Sequence, residues 1–222
     1  MSDETPRERY RRQIRQEALS AALDQLIERG AAALSVNAVA KHLGLSGPAL
    51  YRYFSGRDEL LTELLVDAYA ELADVLEAAA HRDGSAAARL RALAEAYREW
   101  ALAHAQRYLL IFGTPVPGYD APTERTTPHA QRALGVIMAV HASEPPRRAV
   151  RTNAAADAAC ADWAARAGAP SLDGSLVRSA ITFWTRLHGI VSLEIEGHFA
   201  ATLPEAALIY AAEVDELVAP WE

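Results

Sequence analysis

The chain has 222 residues, 51% of them hydrophobic, a formal net charge of −7 and one cysteine. That length suffices for one large core or two smaller ones, and the lone Cys160 excludes an intrachain disulfide and, by itself, a thiolate metal site. The acidic balance excludes a protein that coats nucleic acid along its whole surface, and no apolar run is long enough to span a bilayer.

Alanine occurs 48 times, β-branched runs are few, and no alternating strand pattern is bounded by hairpin turns. An all-α fold is expected. The N-terminus carries no apolar signal core, so a soluble, cytoplasmic chain is expected.

The first helix is predicted from Pro6 to Gly30, with Tyr10, Ile14, Ala18, Leu19, Ala22, Leu23, Leu26 and Ile27 on one apolar stripe. Arg7, Arg11 and Arg15 repeat at i, i+4 and i+8, with Arg12 beside them. Cations at a helix N-terminus oppose the macrodipole, which suggests an external anionic partner. A solvated leader with an Arg12–Glu8 pair is the alternative.

Ser35 to Phe54 reads SVNAVAKHLGLSGPALYRYF. Val36, Val39, Ala40 and Leu43 share one helical face, Gly44 permits a sharp reversal, and Leu45 plugs the gap. Ser46 is placed to cap a second helix with Pro48 in its first turn. Leu50 and Tyr53 are predicted to point back at Val39 and Leu43, leaving Gly47, Ala49, Arg52 and the Tyr51 hydroxyl outward. Small residues permit close approach, and Arg reads guanine edges or phosphate, so this edge suits a major groove. An ordinary αα-hairpin is the plainer reading. Residues 1–57 hold nine basic and six acidic side chains, a net +3 that leaves −10 for the remainder. A basic head on an acidic body is the asymmetry expected when one end meets phosphates.

Further helices are predicted at about 57–80, 86–104, 107–112, 129–141, 147–167, 173–197 and 204–218. Between the third and fourth of these segments, Gly113 to Pro128 holds four of the eleven prolines, as a lid, an ordered loop or a connector.

Ser35 to Leu61, ending YRYFSGRDELL, resembles the DNA-binding domain of TetR-family transcriptional regulators. The Tyr51-x-Tyr53-Phe54 cluster, a following basic residue and Leu60-Leu61 carry the resemblance, which covers roughly residues 10–65. Trp184 with Leu187-His188-Gly189, and then Gly197-His198-Phe199, resembles the Trp-His-Gly subgroup of those regulators. The resemblance implies an N-terminal three-helix helix-turn-helix domain over 1–56 and a larger helical ligand-binding and dimerisation domain over 57–222. It implies that Ser35 caps the first motif helix and touches phosphate, and that Ser46, Gly47, Pro48 and Ala49 lie at the reading end of the second. Arg52 would read bases, Tyr51 and Tyr53 would contact phosphate or sugar, and Lys41 and Arg57 would bind phosphate. Pro48 departs from the small flexible residue or Lys common among relatives, and Arg57 stands where many have Lys. The implied partners are double-stranded DNA bearing a palindromic operator, a second copy of the chain, and a small hydrophobic effector that releases DNA from a repressor. No membrane partner and no cofactor is implied.

Aromatics at helical spacing usually build plain core, but a subset can line an apolar cavity. Glu95, Trp100, His104, Tyr108, Phe112, Trp163, Phe183, Trp184 and His188 are the candidates for ligand contact, with Glu95, His104 and His188 as polar anchors. Leu176, Ala180, Phe183, Trp184, Leu187, Val191 and Ile195, with Leu208, Ala211, Leu217 and Val218, make two apolar stripes. They fit either an intermolecular four-helix bundle or closure of the chain's own core. An enzyme is the competing class: Glu194 and His198 stand four apart, as a metal-ligating pair could. No Gly-rich phosphate loop, nucleophile elbow or Cys-based zinc motif supports it.

Overall fold

Thr5 and Glu8 start the first helix with a reciprocal capping box, and Pro6 occupies the position where its missing N–H costs nothing. The computed structural model describes residues 5–30, 33–113, 116–169, 171–202 and 205–222. Thr114 and Pro115 of the proline-rich segment, and Pro204 at the expected start of the last helix, lie outside the described residues. The described residues are helical throughout their regular structure, with no strand among them. They fall into two compact units, Met1–Tyr69 with Gln106–Thr127, and Ala70–Ala105 with Pro128–Glu222.

In the first unit, α1 (Pro6–Arg29), α2 (Val36–His42), α3 (Gly47–Leu50) and the opening turns of α4 (Arg57–Ala80) close on one core. Ala18, Ala22, Leu26, Val39, Ala40, Leu50, Phe54, Leu60, Leu61 and Leu64 are buried there, each large aliphatic contributing about 1.5–3 kcal/mol. Tyr10 and Ile27, expected on the buried stripe, are instead 59% and 52% exposed. Tyr10 precedes the core, since every described residue up to Gln13 is exposed, and Ile27 sits a quarter-turn off the Ala18–Ala22–Leu26 row.

Also in this unit are α6 (Ala105–Phe112) and the start of α7 (Thr123–Ala142). The latter begins six residues before the expected start at His129. Pro128 lies inside it, giving up one i→i−4 hydrogen bond, while the Pro122 carbonyl accepts from the N–H groups of Arg125 and Thr126 at 3.0 and 3.1 Å.

The second unit holds α5 (Ala86–Ala103), α8 (Ala154–Arg166), α9 (Gly174–Ile195), α10 (Phe199–Thr202), α11 (Ala206–Val218) and a closing 3₁₀ turn at Ala219–Trp221. The helix expected from Arg147 starts only at Ala154, capped by Asn153. Arg147 and Arg148 instead donate their backbone N–H groups to the Pro220 carbonyl at 2.7 and 3.1 Å. Ala180, Phe183, Leu187 and Val191 of α9 are buried within the chain's own core, so this stripe closes the monomer rather than facing a partner. Phe183 meets His141 edge-on at 5.4 Å, and His141 in turn meets Trp221 at 4.9 Å.

Candidate nucleic-acid interface

The turn between α2 and α3 is a Schellman motif. Gly44 adopts φ +67, its N–H bonds the Lys41 carbonyl at 3.2 Å, and the Leu45 N–H bonds the Ala40 carbonyl at 2.8 Å. A side chain at Gly44 would be strained, so the reversal depends on that glycine. Ser35 caps α2, its Oγ accepting from the Ala38 N–H at 3.4 Å, while its own N–H donates to Gln25 Oε1 at 3.2 Å. The capping expectation for Ser35 therefore holds in full.

The second helix is shorter than expected. Regular α geometry covers only Gly47–Leu50, and Tyr51 to Phe54 continue as turns whose N–H groups reach back to Gly47, Ala49 and Leu50. Ser46 precedes the helix with extended backbone but makes no side-chain cap bond, so its hydroxyl stays on the exposed surface. Gly47 has an internal reason to be glycine: a Cβ there would lie 2.6 Å from Asn37 Oδ1. Its bareness thus admits Asn37 of α2 as well as leaving the outer edge low.

Leu50 and Phe54 are buried and Tyr53 is packed against the same core, which fixes the orientation of the opposite side. Ser46, Pro48, Tyr51 and Arg52 are exposed, with Ala49 half-buried among them, and Lys41 is exposed at the end of α2. Tyr51 is 48% exposed, a large aromatic left outside a well-formed core. The structure therefore leaves Ser46, Pro48, Ala49, Tyr51 and Arg52 on one outward edge, whereas Lys41 lines a separate groove against α1 with Asp24, Gln25 and Glu28. His42, exposed in the last turn of α2, lines the same groove beside Lys41. Arg57 is half-buried at the start of α4, with Nη1 3.6 Å from Asp58 Oδ1.

Cations hold the back of this edge. Arg15 Nη1 donates to the Tyr53 carbonyl at 3.4 Å, its guanidinium lies 5.1 Å from the Phe54 ring, and it pairs with Glu63 of α4. Glu63 also receives Arg125, whose other nitrogen meets Glu59 at 3.1 Å.

The candidate ligand residues are not gathered in the same way. In the second unit Glu95 and His104 are exposed. Glu95 lines an open groove with Arg91, Arg98 and Tyr210, and His104 ends α5, 3.8 Å from Glu71. Trp100 is buried 6.1 Å from the His104 ring, His188 accepts or donates at 3.1 Å to the Tyr97 hydroxyl and lies 5.4 Å from Trp184, and Trp163 is half-buried on α8. Burial holds the His188 imidazolium below its ordinary range. Phe183 belongs to the His141–Trp221 core rather than to a cavity wall. In the first unit Tyr108 and Phe112 pack together at 5.1 Å, with Tyr69 edge-on to Phe112 at 6.3 Å. Next to them lies a groove of about 250 Å³ lined by Leu65, Tyr69, Leu110, Val116, Tyr119 and Asp120, among others. The Tyr119 hydroxyl lies 2.9 Å from Thr62 Oγ1, whose proton goes to the Asp58 carbonyl at 2.8 Å. Glu194 is committed to Arg98 and His198 lies 3.4 Å from Glu196, so the two do not form a ligand pair. No helix among the described residues is long and apolar enough to cross a membrane.

Comparison with known proteins agrees with this geometry. Residues 18–64 match the model of bacterial regulatory proteins of the tetR family, and residues 90–217 match the tetracyclin repressor-like C-terminal domain. HTH-type transcriptional regulator Rv1816 of Mycobacterium tuberculosis (strain ATCC 25618 / H37Rv) is 36% identical over 219 residues, spanning 94% of this chain and 92% of its own. An uncharacterized HTH-type regulator of the same organism, Rv0681, is 27% identical over 187 residues, covering 82% of this chain and 71% of its own. The crystal structure of SCO4313, described as a regulatory protein, superposes with a TM-score of 0.84 at 45% identity, covering 97% of this chain and all of that one. The two mycobacterial relatives are HTH-type transcriptional regulators by name, and the chain belongs to the TetR family of transcriptional regulators rather than to an enzyme family.

Proposed function

We propose that two copies of this chain bind a palindromic operator, one α3 edge in each half-site, and repress transcription in the cytoplasm until a small hydrophobic effector releases them. Residues 1–56 act as the reading head in this scheme and 57–222 as the sensing and dimerising body. The observation that carries the reading is the outward edge of Ser46, Pro48, Ala49, Tyr51 and Arg52, held against a fully closed core. Arg52 reads a base edge, Gly47 and Ala49 let the backbone come close, and Ser35, Lys41, Tyr51, Tyr53 and Arg57 engage phosphate or sugar.

Pairing of two copies is supported by what α9 and α11 leave open. A Cβ at Gly189 would find open space within 4 Å among the described residues, Leu193 one turn on is exposed, and Leu208 is 65% exposed beside exposed Ile209 and Ala211. An exposed apolar patch of this kind favours association. Two heads must then stand about 34–36 Å apart to enter successive major grooves, so a modest change of separation releases both. For the effector, the groove beside the proline-rich segment offers apolar walls and the Tyr69 and Tyr119 phenols, whose ionisation burial pushes up, as neutral polar anchors.

The test is selection of duplexes from a random library with the full chain, followed by sedimentation of the complex. The expected result is a palindromic consensus bound by two chains. An asymmetric site bound by one chain would overturn the dimeric reading. A thermal-shift screen of hydrophobic metabolites, scored also for release of the selected duplex, identifies the effector.

A further inference from the structure

Positions 7, 11, 14, 18 and 22 of α1 fall on one face of the helix, at successive steps of four, three, four and four. Ile14, Ala18 and Ala22 of that row are buried in the head core. Arg7 and Arg11, earlier in the same row, are exposed, as is every described residue up to Gln13. The helix therefore overhangs its core by about two turns. Its inner face turns from apolar to cationic where the core ends. Tyr10, on the same side, is left in solvent with its hydroxyl.

The overhang starts beside the reading edge. Arg11 places its guanidinium 5.9 Å from the Tyr53 ring, and Arg15, one turn on, bonds the Tyr53 carbonyl. Neither Arg7 nor Arg11 is paired with a carboxylate among the described residues. Nor do they serve the helix itself: cations in the first turns oppose the macrodipole, and the Thr5–Glu8 capping box already secures the start. A row that faces the domain, carries charge instead of apolar bulk and adjoins a nucleic-acid edge is matched to an anion outside the chain.

We propose that Arg7 and Arg11, with the Tyr10 hydroxyl, form a second DNA-backbone patch that grips phosphates flanking the bases read by α3. The proposal rests on the assignment of α3 as the reading element. Its contribution is sequence-independent: the patch adds affinity and salt dependence and leaves base preference to Arg52.

The experiment is fluorescence anisotropy with the full chain, wild type against an Arg7→Gln/Arg11→Gln double variant. Two duplexes are titrated across a salt series: the one selected by the wild type, and a scrambled version. The expected result is that the slope of log affinity against log salt becomes shallower by about 1–2 per bound chain, since each lost phosphate contact is worth about 0.9. Affinity for both duplexes falls by a similar factor, roughly tenfold at physiological salt, and their ratio is kept. Tyr10→Phe gives a smaller loss of the same kind. Unchanged slope and affinity would make the overhang a merely solvated leader and overturn the proposal. So would a loss confined to the selected duplex, which belongs to base reading. A wild-type chain that binds neither duplex would overturn the α3 assignment itself. An Arg52→Ala ratio change alongside an unmoved salt slope in the double variant would overturn the patch alone.

Discussion

The two units solve burial differently. In the head, the stripes of α1, α2, α3 and α4 meet in a single apolar cluster, and Thr62, buried beside it, has its hydroxyl bonded to the Asp58 carbonyl and the Tyr119 hydroxyl. The interior of the second unit contains polar atoms. His141 is fully buried, with Nδ1 donating to the Ile137 carbonyl at 2.8 Å and Nε2 without a partner among the described residues, and the buried Trp100 indole N–H likewise has none among them. Tyr210 donates to the Ala94 carbonyl at 2.6 Å and Trp221 to the Glu144 carbonyl at 3.3 Å. A closed apolar core holds a surface rigid, whereas a core with unsatisfied polar atoms carries a standing cost of about 1–3 kcal/mol for each. The head is built to present, and the body keeps an interior with chemistry left to satisfy.

The comparison can be broken most forcefully at Phe183. Phe183→Ala should destabilise the protein by about 3–5 kcal/mol in urea unfolding, because the ring fills the space between His141 and its neighbours. A cost below about 1 kcal/mol would mean that the body core collapses easily and that Phe183 is not its anchor. The next effect is one of pH. Burial lowers the His141 pKa from 6.5 to about 4, so the ring is neutral in the fold while the unfolded chain takes up a proton below about 6.5. This stabilising contribution is complete above pH 6.5 and is lost as the pH falls toward 4, by about 3 kcal/mol at most. His188, also lowered by burial, acts in the same direction. The decisive readout is the difference between wild type and His141→Phe across that window. Parallel pH curves would contradict the account.

Head substitutions are expected to cost less stability and more recognition. Arg52→Ala should weaken binding of the selected duplex by about 1–3 kcal/mol while leaving thermal unfolding unchanged, since the side chain is exposed. Ser35→Ala should cost about 0.5–1 kcal/mol of stability by removing the α2 cap, whose 3.4 Å length puts it at the weak end. A Ser35→Ala effect larger than that of Phe183→Ala would reverse the contrast between the units.

The head was legible in the sequence because its determinants are local. Turn, cap, core positions and reading edge lie between Ser35 and Phe54, and α4 runs from Arg57 to Ala80 as its periodicity predicts. What escaped depended on distant contacts or on rules with exceptions. Pro128 suggested a helix start near it, yet α7 absorbs it in its second turn. Residues 147–153 carried a helical composition, but the chain's end competes for them through the Pro220 carbonyl. The stripe from Ala180 to Val191 could not disclose its partner, because His141 and Trp221 come from segments far away in the chain. The same holds for the ligand candidates: aromatic spacing marks a buried face, not which faces enclose a cavity. Val116, Tyr119 and Asp120, which line the groove, lie in a segment whose prolines hid any periodicity.

The central claim is that the outward edge of α3 reads bases, and repeating the duplex selection with Arg52→Ala tests it most directly. The account predicts a consensus that loses its preference at one base pair in each half-site and keeps the rest. A consensus identical to that of the wild type would contradict it.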